Sequence, residues 1–204
     1  MSRSFAEISF TPSVREAQAK YGSAHHYEKL LLGDPSADVI GPDEAEFISA
    51  RDGFYQATVS ETGWPYVQFR GGPVGFLKVL DEKTIAYADF RGNRQYLSTG
   101  NLTINDRISL ILMDYPNRRR LKVWGRVRLL DAGDDPDLLA ALHEPAYRGF
   151  PERAVLISIE ALDWNCPQHI PQRFTLAEIE PLRNELAALR AENELLKSEL
   201  KTKS

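Results

Sequence analysis

The sequence predicts a mainly β fold with flanking helices: a six-stranded antiparallel barrel followed by a C-terminal coiled-coil helix. Three observations predict it. Short runs rich in aromatic and β-branched residues recur between Phe54 and Leu162. Most are joined by tight turns, without the helix-length spacers of alternating βα units. The last segment then changes period and repeats apolar residues every three and four positions.

The 204 residues are enough to bury one sizeable core, with room for an appendage. With 43% hydrophobic and 26% charged residues, the composition is that of an ordinary globular chain. A net charge of −4 argues against a general nucleic-acid surface, which is basic. No apolar run is long enough for a bilayer, and no N-terminal segment reads as a signal peptide, so no membrane partner and a cytoplasmic location are expected. A single cysteine, Cys166, excludes an intramolecular disulfide. His25 and His26 are adjacent, a poor spacing for one metal, and no metal site is expected.

Residues 1–53 read as a helical segment packed on the barrel. Pro12–Tyr21 carries a helix pattern with Gly22 as its C′ residue. Tyr27–Leu32 continues as a second short helix, broken by Gly33, Asp34, Pro35 and Ser36. Pro42 suits the first turn of a third helix, Asp43, Glu44 and Glu46 suit its positive end, and Gly53 closes it. Phe47 and Ile48 face the core.

Residues 54–174 carry the strands. Phe54–Ser60 turns at Glu61-Thr62-Gly63 into Trp64–Arg70, and Gly75–Leu80 turns at Asp81-Glu82-Lys83 into Thr84–Asp89. A short helix is expected over Asn93–Gly100. Arg107–Tyr115 is nearly all apolar in its middle, the mark of a buried strand. Arg119–Leu130 alternates basic with apolar residues, as a strand with one wet face does. Pro136–His143 reads as a helix and Ala154–Leu162 as the last strand. Trp164–Phe174 is a loop with two prolines and a cluster of aromatic, amide, His and Arg groups; it fits a cover over a site or a linker with a Trp anchor.

Residues 175–204 are a heptad helix. Ile179, Leu186, Asn193 and Leu200 fall at a, and Leu182, Leu189 and Leu196 at d. Glu185, Glu192 and Glu199 fall at g; Arg183, Arg190 and Lys197 at e. In a parallel two-stranded coil a g glutamate meets a basic e residue of the partner five positions on. Asn193 alone at a is a two-strand and register device. The coil is expected to start at Pro181, with the proline in its first turn.

The candidate site lies in Trp64–Asn101. Two strands there end in Gly-rich, charged clusters, RGGP and DFRGNR. Arg70, Lys78, Arg91 and Arg94 are thus delivered from strand ends and loops, where backbone N–H groups are free to meet a phosphate. Gly71 allows close backbone approach. Read singly, RGGP also fits an ordinary turn, and Arg118-Arg119-Arg120 a solvated charge run.

The block from Phe54 to Leu130, through FYQATVSETGWPYVQFRGGPVGFLKVLD, YADFRGNRQYLSTGN and RRRLKVWGRVRLL, resembles the pyridoxamine 5′-phosphate oxidase-like family of FMN-binding split barrels. WNCPQHIPQRF resembles the C-terminal part of its FMN-binding flavoprotein branch. The resemblance covers about residues 40 to 174. It implies a six-stranded split barrel and a homodimer with two FMN molecules at its interface. Matched residue by residue, Arg70 and Lys78 are the basic pair at the strand before the turn. Tyr87, Ala88 and Asp89 flank the ribityl chain, and Asn93 and Arg94 grip the phosphate. Arg119 and Arg120 reach the flavin from the partner chain, and Trp164, Gln168, His169 and Arg173 close over the ring. The chain departs from the oxidase in inserting GGPVGF between Arg70 and Leu77 and in lacking its C-terminal Arg–His substrate signature.

Three functions are open at this point. The first is an FMN-dependent oxidoreductase acting on a small-molecule substrate, with no catalytic acid or base assigned beyond a guess at His169. The second is a non-catalytic flavin or haem binder or sensor, for which His143 and His169 are the candidate iron ligands. The third is a dimer scaffold whose coil recruits a partner.

Overall fold

A computed structural model describes residues 2–28, 39–164 and 167–202. The first 53 residues hold four short helices: α1 (Arg3–Ser9), α2 (Pro12–Lys20), α3 (Ala24–Glu28) and α4 (Pro42–Ser49). Gly22, at φ 76°, follows the end of α2 as expected. The helix expected over Tyr27–Leu32 and its Gly33–Ser36 break fall largely outside the described residues, as does Cys166. Pro42 opens α4 and Phe47 and Ile48 are buried, but Ala50 ends it, and Gly53 begins the next strand.

The strands are β1 (Gly53–Val59), β2 (Pro65–Gly71), β3 (Lys78–Asp81), β4 (Thr84–Phe90), β5 (Arg107–Asp114), β6 (Arg119–Asp131) and β7 (Pro151–Trp164). They form one antiparallel sheet in the order β2-β1-β5-β6-β7-β4-β3. It therefore has seven strands where six were expected. The seventh is β3, four residues long, paired only with β4 and with a register shift between Val79 and Asp81. It begins only at Lys78 because Gly75, at φ 76°, still bends the chain and donates its N–H to the Arg51 carbonyl at 2.9 Å.

Alternation decides which side chains meet inside. Phe54, Leu110, Leu112, Leu121, Val123, Ile85, Tyr87 and Ile157 fill the main core. Strand β4 is buried on both faces. Ile85, Tyr87 and Asp89 share the inner side, while Ala86 and Ala88 pack under α6 (Pro136–Leu142) with Leu139 and Leu142. On the opposite side of the sheet, Phe5 of α1 stacks on Trp124 at 4.4 Å. A bulge between Trp124 and Gly125 brings β6 close to β7. A Cβ on Gly125 would lie 2.5 Å from the Ser158 carbonyl oxygen, so only glycine fits there.

Two helix boundaries differ from expectation. The helix expected over Asn93–Gly100 is α5 (Leu97–Ile104). Asn93 Oδ1 accepts the Gln95 N–H at 3.1 Å, and Arg94 and Tyr96 take left-handed φ of 62° and 53°, so the chain turns before it coils. The C-terminal helix α7 runs Leu176–Thr202, placing Pro181 in its second turn. A capping box sets the earlier start: Thr175 Oγ1 accepts the Glu178 N–H at 3.2 Å, and Glu178 accepts the Thr175 N–H at 2.7 Å. Among the described residues, no helix is long and apolar enough to cross a membrane.

Candidate functional site

Tyr66, Gln68 and Arg70 alternate along β2 with exposed Val67 and Phe69, so the first three turn to the inner side. There they meet the end of β4, the start of β7 and the loop into α5. The result is a cleft of about 200 Å³ lined by Arg70, Asp89, Asn93, Arg94, Ser98 and Arg153 among others.

Asp89 is its electrostatic centre. It is 5% exposed and bridges two arginines: Arg70 Nη1 donates to Oδ1 at 2.8 Å and Arg153 Nη1 to Oδ2 at 2.7 Å. Burial works against the Arg153 charge, but Asp89 first, with Glu152 and Asp131, together outweigh it and raise its pKa. Arg153 lies above the Tyr96 ring at 5.3 Å. Among the described residues, the buried Nε atoms of Arg70 and Arg153 find no hydrogen bond, although Arg153 Nε lies 3.5 Å from the Asp131 carboxylate. Across the loop, Glu152 accepts from Arg91 at 2.8 Å and from the Tyr96 hydroxyl at 3.2 Å, and its pKa is lowered chiefly by Arg91. The pKa of Arg94 is raised, first by its hydrogen bond with Tyr96.

The guanidiniums of Arg70, Arg94 and Arg153 line the cleft with the carboxylates of Asp89 and Glu152, and Arg91 stands in the adjoining space, so positive charge is in excess here. The first turn of α5 adds Leu97, Ser98 and Thr99 to the lining, and among the described residues no side chain caps this helix. Its leading N–H groups and positive dipole end remain available to an anion. The Ser98 hydroxyl, which is buried, donates to Gln68 at 3.0 Å and fixes both side chains. This donor set, rich in guanidinium and hydroxyl groups beside an uncapped helix start, suits a phosphate monoester.

Among the residues singled out in sequence, Arg70, Asp89, Asn93 and Arg94 converge in this cleft. Gly71, Tyr87 and Ala88 line an adjoining space of about 240 Å³ that shares Arg70 and Asp89. Tyr87 is core: it is 1% exposed, its hydroxyl donates to Gln56, and burial is the first cause of its raised pKa. Lys78 lies opposite Ala86 on β3 and does not line the cleft.

The remaining candidates gather elsewhere on this chain. Arg119 lies 4.6 Å over the Trp164 ring, whose Nε1 donates to Glu44 at 2.6 Å. Both border a separate space of about 390 Å³. Arg120 pairs across from Met113, and its buried Nε finds no hydrogen bond among the described residues. Gln168 and His169 are exposed, the latter at φ 65°. Arg173 lies 5.1 Å over the Tyr115 ring, and Gln172 donates to the Pro116 carbonyl at 2.9 Å, so this segment follows the β5–β6 turn. Sequence reading did not single out Gln68, Ser98, Thr99 or Arg153. Arg153 carried one usable signal, a basic residue at the head of the last strand.

The family model described as pyridoxamine 5′-phosphate oxidase matches residues 40–163, more than half of the chain. The chain belongs to the pyridoxamine 5′-phosphate oxidase family. The match runs from α4 through all but the last residue of β7 and takes in every residue that lines the cleft. No curated protein sequence matches the chain. Among solved structures, two of HupZ from Group A Streptococcus are similar, one of a single-substitution variant at 17% identity and one at 16%, each with a TM-score of 0.51. The alignments cover 62% and 66% of this chain and 99% and 100% of HupZ. An FMN-binding protein from Syntrophomonas wolfei aligns at 14% identity and a TM-score of 0.46, covering 74% of this chain and 96% of its own. At these identities the HupZ likeness speaks for the family fold.

Proposed function

We propose that the chain is an FMN-binding flavoprotein, and an oxidoreductase, whose cofactor lies between two copies. The carrying observation is the cleft in which Arg70, Arg94 and Arg153 meet the uncapped start of α5, with an excess of positive charge suited to a phosphate dianion. Family membership supports the flavin. When bound, the flavin supplies the electron chemistry, and the protein's part is to bind, orient and shield it. Arg94, Asn93, Ser98 and Thr99 would hold the phosphate; Arg70 and Arg153, fixed by Asp89, would set its position.

Size supports a shared site. The cleft itself, at about 200 Å³, is below the roughly 300–1,000 Å³ of small-molecule sites, so the ring would extend beyond it, into the adjoining space of about 240 Å³ and towards a second copy. The outer face of β1 and β2 leaves Tyr55, Val67 and Phe69 exposed, an apolar surface for a second copy. In such a dimer Arg119, Arg120, Trp164, Gln168, His169 and Arg173 would approach the ring from the partner, together with Lys78 from the edge strand.

The absorption spectrum of the purified protein, before and after adding FMN, tests this reading. Protein-bound flavin bands that bleach with a reductant and return in air are expected. Failure to take up FMN at micromolar concentration would overturn it.

A further inference from the structure

We propose that α7 is a dimerisation element that pairs, in parallel and in register, with α7 of a second copy of this chain. This inference is independent of the cofactor. The helix is 27 residues long, or about 40 Å. Of its described side chains only Ile179 is even half-buried, so the barrel does not cover it. Leu182, Leu186, Leu189 and Leu196 are 49–65% exposed and form a single stripe at heptad spacing. A helix this long does not hold an apolar seam in water without a second apolar surface.

The charges flanking the stripe name that surface. Glu185 and Glu192 line one side, and Arg183, Arg190 and Lys197 the other. In a parallel pair, g faces e′ of the next heptad. Glu185 then meets Arg190 of the second copy and Glu192 meets Lys197, twice over by symmetry. In an antiparallel pair, g faces g′ and e faces e′, so glutamate would meet glutamate and arginine would meet arginine. The same pattern therefore rewards one orientation and penalises the other. Asn193 adds register: at a it is matched only by Asn193 of an in-register parallel twin, where the two amides bond to each other. The bonds within one helix, Arg183 to Glu180 at 3.2 Å and Lys197 to Glu194 at 2.8 Å, leave Glu185 and Glu192 available for the partner.

Cross-linking in the full chain tests this. In a Cys166→Ser background, Leu196→Cys places a thiol at d, facing its own twin only in a parallel, in-register coil. Ser198→Cys places one two residues on, at f, facing away. Mild oxidation is expected to convert most of the Leu196→Cys chain to a disulfide-linked dimer, at least tenfold faster than the Ser198→Cys chain. Adding Glu185→Lys and Glu192→Lys should slow the Leu196→Cys reaction several-fold at low salt. Equal rates at the two positions, or none at Leu196→Cys, would overturn the proposal. Flavin uptake, measured on the same variants, reports separately on the cleft.

Discussion

Arg70 and Asp89 stand near opposite ends of the sheet order, on β2 and β4, yet their side chains meet at 2.8 Å. The contact brings the two ends of the sheet together. Arg153 completes it from the other carboxylate oxygen. A bridge that helps close the fold thus also fixes the cations of the cleft.

Asp89→Asn should therefore destabilise the chain. The carboxylate is nearly inaccessible, and its loss leaves two poorly solvated guanidiniums facing each other. Breaking such a pair costs about 3 kcal/mol or somewhat more. Urea denaturation checks this. FMN affinity, measured below the unfolding transition, should hold or rise, because the phosphate then supplies the missing negative charge.

Arg94→Ala should do the reverse. Arg94 is exposed in the loop before α5, so stability should change by no more than about 0.5 kcal/mol. Losing a charge-assisted contact to phosphate should weaken FMN binding about tenfold or more. Quenching of flavin fluorescence in a titration measures it. Unchanged affinity would remove Arg94 from the phosphate site.

Arg120→Ala should also weaken FMN binding, although Arg120 does not line the cleft of its own chain. Complementation separates a shared site from an indirect effect. Mixed dimers of Arg94→Ala and Arg120→Ala chains carry one intact site in two, so random mixing should restore about a quarter of the wild-type sites. No restoration would place both arginines at one site on one chain, or leave Arg120 outside it.

Tyr87→Phe removes a buried hydroxyl that donates to Gln56, whose own Nε2 makes no hydrogen bond among the described residues. The cost should be about 1–3 kcal/mol. Burial raises the Tyr87 pKa above its ordinary value near 10, so the folded state keeps a proton that the unfolded chain releases. Stability from this group is intact below about pH 10 and falls as pH rises above it. Alkaline unfolding curves should show a shallower decline for Tyr87→Phe than for the unaltered chain.

Much of the fold was legible because strands and turns are written locally. The hairpin at Glu61-Thr62-Gly63, with Gly63 at φ 87°, lies where its residues demand it. The helix expected from Asn93 starts only at Leu97, because an Asx turn competes with the first helical turn and side-chain geometry settles that contest. Pro181 drew the start of α7 too late, although the capping box at Thr175 and Glu178 was present in the sequence. Arg70 and Arg94 stood out as cations beside glycines. Arg153 did not, because nothing near it in sequence shows that Asp89 lies opposite it in the β4–β7 register.

By itself the sequence determined the strand pattern, the heptad seam of α7 and the basic character of the cleft loops, since each follows from neighbours within a few residues. Only the tertiary structure decided that Asp89 bridges two arginines, that Tyr87 is core and that Trp164 anchors to Glu44. Those outcomes depend on the order in which strands pair, and pairing joins residues dozens of positions apart through backbone hydrogen bonds that no local pattern encodes.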